Sequence, residues 1–154
     1  MMSGLFISLV FYTMIGAQEM YNSRSSLLDS QISFREAVVR ASDTLVLTGG
    51  KPGNWETQTL SEGQLSSYGL AASPNIIDPV KAAKLGSDGN SNISEIKRAL
   101  GLSKVNMSIQ ISSLSSGNVL YSIGQNPPMD RQAMVIERFA LLNGNAVKVR
   151  IEAG

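Results

Sequence analysis

The chain has 154 residues with 13 basic and 12 acidic side chains, and it contains neither cysteine nor histidine. Balanced charge gives no field that would steer it to nucleic acid or anionic lipid. The missing residues exclude disulfides, thiolate and imidazole metal ligands, and the commonest nucleophile and general base. Carboxylates remain as general acids and bases, but no acidic pair stands out, so the composition reads as a non-enzymatic protein without a cofactor.

Residues 1 to 17, MMSGLFISLVFYTMIGA, carry no charge, and the polar, amphipathic stretch that follows has no proline before Pro52. Proline is the residue most costly to a helix interior, so its absence permits one continuous helix to Leu47, about 70 Å long at about 1.5 Å rise per residue. The uncharged part spans about 26 Å, close to the lower limit for a bilayer core of about 30 Å. It reads as a membrane anchor or the helical core of a polymer, carried by Gly4, Leu5, Phe6, Ile7, Ser8, Leu9, Val10, Phe11, Met14 and Ile15. Gly4, Ser8 and Thr13 among large residues would let copies of the helix approach closely. Two alternatives stand beside this. A cleaved signal could end at Ile15-Gly16-Ala17, although nothing basic precedes Arg24; a buried helix of a soluble domain would be apolar on one face, not all around.

Past Ala17 a heptad places Met20, Leu27, Phe34 and Ala41 at one seam position and Arg24, Gln31, Val38 and Leu45 at the other. The seam is mostly apolar from Leu27 onward, which predicts packing on the chain's own domain there and an exposed neck over residues 18 to 26. The domain organisation is therefore a helix over residues 1 to 47 and an α+β domain over 48 to 154. Thr48-Gly49-Gly50-Lys51-Pro52-Gly53 ends the helix, and Pro52 with Trp55 marks the junction, the tryptophan anchoring the helix end to the domain or else serving as a stacking platform. Tyr68-Gly69-Leu70-Ala71 reads as a short buried strand or turn.

Asp78 as N-cap, Pro79 at the first helical position and Gly86 as a stop predict a helix of about two turns. Asn92-Ile93-Ser94-Glu95 has the form of a capping box for a second short helix that closes at Gly101. Between them Asp88, Asn90 and Asn92 alternate as oxygen ligands do in calcium loops. Glycine is misplaced, however, and Ala99 stands where a bidentate glutamate belongs, so a solvated loop is the reading and no metal is assigned.

From Val105 the period becomes two: Val105, Met107, Ile109 and Ile111 alternate with polar residues, as in a half-buried strand. Val119 to Ile123, Ala133 to Leu142 and Val147 to Ile151 continue the pattern, the last two joined by Asn143-Gly144, the dipeptide of a type I′ turn. These predict an antiparallel meander of about four strands. Asn92-Ile93-Ser94 and Asn106-Met107-Ser108 both satisfy the N-glycosylation sequon, which makes Asn92 and Asn106 candidate modification sites if the domain lies outside the cell.

An apolar N-terminal helix, a proline-free neck and a small antiparallel domain form the outline of a type IV pilin. Thr48 to Glu56, Gly69-Leu70-Ala71, Ile77-Asp78-Pro79 through Lys84-Leu85, and the hairpin from Ile136-Glu137-Arg138 to Asn143-Gly144 resemble archaeal pilin-like surface proteins with class III signal peptides. The resemblance implies an exported structural subunit of a surface filament, processed by a prepilin peptidase and handled by a pilus assembly machinery. Its partners would be copies of itself or related pilins, with the membrane as host before assembly. The alternative is a membrane-tethered extracellular binding or adhesion domain that does not polymerise. The sequence departs from that family in lacking the short basic leader and the Gln-x-Ser-x-Glu type sequence ahead of the apolar stretch.

Overall fold

In the computed structural model the backbone is described from Met2 and the side chains from Gly16 to Gly154. Helix α1 runs from Met2 to Leu47 and is followed by a 3-10 turn at Trp55–Thr57. Strands β1 (Ala71–Ser73) and β2 (Ile76–Ile77), helices α2 (Pro79–Asp88) and α3 (Ile93–Ala99), and strands β3 (Met107–Ser113), β4 (Val119–Gly124), β5 (Met134–Leu142) and β6 (Asn145–Ala153) complete the domain. The chain falls into two compact units, residues 1 to 35 and 36 to 154. The class is α+β.

The sheet differs from the expected four-stranded meander. It has six strands in the order β1-β2-β5-β6-β3-β4, with β2 parallel to β5 and every other pair antiparallel. Strands β1 and β2 are too short to show alternation, so the period-two signal misses them. They turn on Asn75, whose φ of 62° is a left-handed conformation that asparagine tolerates. The parallel pair arises because α2, α3, β3 and β4 all intervene before β5 returns to β2, and only a long crossover can bring two strands parallel.

The longer strands follow the expected pattern. Met107, Ile109 and Ile111 of β3 pair with Ala153, Ile151 and Val149 of β6, and all six side chains are buried on one face. Asn143 and Gly144 both have positive φ, at 52° and 77°, as a two-residue hairpin between β5 and β6 requires. Buried positions on α1 (Val38, Ala41, Leu45, Val46), α2 (Ala82, Leu85) and α3 (Ile96) complete the core of the 36 to 154 unit.

Three local expectations change. The buried part of α1 begins at Val38, not at Leu27, because Leu27, Leu28 and Ile32 are all exposed. Helix α2 does not stop at Gly86: it continues to Asp88, and a Cβ on Gly86 would stand 2.5 Å from the Tyr121 ring, so this glycine allows close approach to β4. Asn92 makes no capping bond from its side chain, and Glu95 looks away from the cap altogether. The other helix signals stand. Asp78 accepts from the Val80 N–H at 2.8 Å, and α3 closes with Gly101 N–H to Arg98 O and Leu102 N–H to Lys97 O, the double bond of a Schellman motif.

Candidate functional site

The proposed assembly residues, Gly4, Leu5, Phe6, Ile7, Ser8, Leu9, Val10, Phe11, Met14 and Ile15, lie outside the residues whose side chains are described. Among the described residues no helix is long and apolar enough to cross a membrane. What the 1 to 35 unit does show is an apolar flank on α1. Met20 and Leu27 recur at seven, and Tyr21, Leu28 and Ile32 at seven and four, so they fall on one side of the helix, where Arg24 and Gln31 interrupt them, against Asn22, Ser26, Asp29 and Ser33 opposite. The five apolar side chains are 54 to 75% exposed.

In the other unit, the helix-to-domain junction is built around residues the sequence singles out and some it does not. Trp55 is fully buried, its indole N–H donates to Gly69 O at 3.0 Å, and its ring packs against the buried Tyr68 at 4.6 Å between centroids, tilted by 37°. A tryptophan closed off in this way anchors the junction and has no face left for a ligand. The Lys51-Pro52 peptide is cis, and Lys51 is paired in both directions with the chain at Ser66 and Ser67. The last carbonyls of α1, which a helix leaves unpaired, accept from the domain: Leu70, Ala71 and Asn75 N–H groups go to Leu45, Thr48 and Val46 oxygens. Gly69 lies so close to Thr48 that a Cβ would stand 2.2 Å from the Thr48 oxygen.

Two charged residues hold this arrangement, and neither was expected to do so. Lys81, 4% exposed, donates to the carbonyls of Gly49 and Gly53 at 2.7 Å each, with Glu56 at 3.8 Å. Its position was legible: it precedes Ala82 and lies four residues before Leu85, on the buried stripe of α2. Glu95 is buried as well. It accepts from Gly63 and Leu65 N–H at 3.1 and 3.0 Å and from Arg98 at 2.7 Å, so it ties the loop before Leu65 to α3. The Arg98 guanidinium first, and the two backbone N–H groups after it, hold the Glu95 carboxyl down at about 2. Burial without a hydrogen-bond partner instead pushes the Tyr68 hydroxyl far up, so it stays a neutral phenol.

The alternating oxygens near residue 90 do not converge on a point. Asp88 pairs with Lys84, Asn90 Oδ1 accepts from Gly124 N–H at 2.8 Å, and Asn92 Nδ2 donates to Asp88 O at 3.0 Å. Among the described residues no group of three or more histidine, cysteine or acidic side chains is placed to hold a metal. Of the two sequons, Asn92 donates through its side chain and lines an open groove of about 420 Å³ with Glu62, Ser94 and Arg98, and Asn106 lines one of about 550 Å³ with Asn90, Lys97 and Gln125. No family model, no curated protein and no solved structure matches the chain.

Proposed function

We propose that this protein is a structural subunit, pilin or pilin-like, of an archaeal surface filament, assembled through its N-terminal helix and without enzymatic activity. The observation that carries the reading is the exposed flank of α1, where Met20, Tyr21, Leu27, Leu28 and Ile32 present apolar surface to water. Each such side chain would gain about 1.5 to 3 kcal/mol on full burial, so covering the flank with neighbouring helices drives association. The uncharged run ahead of it continues the same logic, its small residues allowing close helix packing with copies or related pilins. Before assembly the run is housed in the cytoplasmic membrane, and a prepilin peptidase with an assembly machinery acts on the chain, as the resemblance implies. The domain then stands at the cell surface.

Negative-stain microscopy of material sheared from cells producing the full reading frame, with the N-terminal mass measured on the same sample, tests this. Filaments are the expected result, and bulky residues in place of Gly4 and Ser8 abolish them. Single copies that stay in the membrane fraction would instead favour a tethered binding or adhesion domain. A mature chain beginning at Gln18 would make it a secreted domain.

A further inference from the structure

We propose that the edge strand β4 is a pairing surface for a second copy of this chain, β4 against β4 in antiparallel sense across a two-fold axis at Ser122. The contact is additional to the one assigned to α1, and it rests on the reading of the chain as a subunit that meets its own copies.

The sheet has two outer strands, β1 and β4, and the chain covers the first with its own backbone. Strand β1 has three residues, and its Ala71 N–H donates to Thr48 O at 2.9 Å, at the end of α1. Strand β4 pairs with β3 on one side alone. The Gln125 N–H donates to Met107 O, toward β3, whereas the Gly124 N–H points the other way and donates to Asn90 Oδ1 at 2.8 Å. Backbone groups of an antiparallel strand alternate in direction, so the Ser122 N–H and C=O also point outward. Among the described residues neither has a partner. Asn90 therefore caps one end of the edge and leaves the rest open.

Native sheets guard such an edge with charged side chains, proline or a bulge. Here the charges are in the wrong place for that. Those on the strands, Glu137, Arg138, Lys148, Arg150 and Glu152, all belong to β5 and β6 in the middle of the sheet. Residues 105 to 129, which hold β3 and β4, carry no charge, and β4 has no proline. Val119 and Leu120, beside the open groups, are 50 and 45% exposed. The one guard present is a shift of register opposite Ile111 and Ser112, which limits the regular run to Tyr121 onward.

The same inventory names the occupant. A strand that completes β4 must bring unpaired backbone of its own, and in a second copy the open strand is β4. Neither strand has a charge, so the pairing sets no like charges together. With Ser122 opposite Ser122 the two residues exchange both N–H to C=O bonds, and Leu120 of each copy lies opposite Gly124 of the other, which has no side chain to obstruct it. A contact of about five residues a side buries far less than the roughly 1,200 Å² of a stable complex, so single chains stay apart. Along an array of copies it repeats, and local concentration makes it effective. A two-fold contact closes on itself, so it pairs chains and does not extend a filament.

The chain has no cysteine, so a single introduced one reports alone. Ser122→Cys, oxidised on intact cells producing the full chain and run on a non-reducing gel, tests the pairing. Residues that exchange both bonds have Cα atoms about 5.5 Å apart, within the span a disulfide bridges. The expected result is a disulfide dimer that Ser115→Cys, at an exposed position on the turn between β3 and β4, does not give. Adding Leu120→Lys to Ser122→Cys places a charge on the edge and should abolish the dimer; both positions are exposed, so the urea midpoint stays at the parent value. No dimer from Ser122→Cys, an equal dimer from Ser115→Cys, or one that survives Leu120→Lys overturns the pairing. Microscopy of the same cells separates it from the filament reading: filaments without the dimer sink the pairing alone, and the dimer without filaments sinks the filament alone.

Discussion

Two stretches of α1 carry similar side chains in opposite surroundings. From Val38 to Val46 the residues Val38, Ala41, Ser42, Leu45 and Val46 are at most 2% exposed, whereas from Met20 to Ile32 five large apolar residues are more than half exposed. Periodicity specifies a face of a helix and says nothing about what covers it. In the later stretch the cover comes from the same chain, and polar groups are satisfied there too: Ser42 Oγ accepts from Arg138 at 3.2 Å while Arg138 pairs with Asp43 at 2.9 Å. In the earlier stretch Ser23 and Ser26 hydroxyls donate back to the helix's own carbonyls, a use that needs no neighbour. The first pattern belongs to folding, and the second is the one the proposed function assigns to association.

If so, truncations in the covered region act on stability, and the junction shows the largest effects. Trp55→Ala removes a fully buried ring and its N–H bond to Gly69, with an expected loss of about 3–5 kcal/mol, and Leu45→Ala a loss of about 2–5 kcal/mol. Urea unfolding of the purified chain reads both, and a change under about 1 kcal/mol would mean the junction collapses without cost. Lys81→Ala comes next, at about 3 kcal/mol, because it strands the Gly49 and Gly53 carbonyls and leaves the half-buried Glu56 without its counter-charge. Lys81→Arg cannot restore it, since a planar guanidinium does not fit a site built for a compact ammonium.

Glu95 gives a smaller effect with a pH signature. Its carboxyl titrates at about 2 in the folded chain, below the ordinary value near 4.5. A lowered folded value means that the stabilisation is complete above the unfolded value and is lost as pH falls through the folded one. Stability should therefore decline between about pH 4.5 and pH 2, and Glu95→Gln should flatten that limb while costing about 1.5–3 kcal/mol at neutral pH through weakened bonds to Arg98, Gly63 and Leu65. Urea midpoints at several pH values measure it. A variant that keeps the full acid limb would place the titration elsewhere.

The long elements were legible because each repeats its signal. Nine residues of β5 and nine of β6 around Asn143-Gly144 carry both alternation and turn chemistry, and the 46 residues of α1 lack a breaker. What escaped was what depends on distant partners. Strands of three and two residues have no period to read, and β2 lies beside β5 only because the chain returns after some 57 residues. Gly86 has the same identity whether it stops a helix or faces Tyr121, and Glu95 the same spacing whether it caps α3 or grips the loop at Leu65. For the candidate sites, sequence found both sequons and the junction tryptophan; that Asn92 donates to the Asp88 carbonyl and does not cap α3 was not legible in it.

The smallest expected change in stability is also the sharpest test of the comparison. Leu27→Gln with Leu28→Gln keeps helix propensity nearly constant, so the variant does not act by loosening α1 itself. Both leucines are about 60% exposed, at 64% and 59%, and exposed positions of this kind shift unfolding by no more than about 0.5 kcal/mol. The same change at Leu45, fully buried, should cost several kcal/mol. Urea unfolding in mild detergent, where chains are single, should therefore leave the double variant at the parent midpoint, while sheared preparations from cells producing it should contain fewer filaments or none. A midpoint that falls with Leu27 and Leu28 would show that this flank folds against its own chain, and the division of α1 into a folding half and an associating half would be wrong. An unchanged midpoint with undiminished filaments would keep the division and move the association surface to the uncharged residues before Ala17.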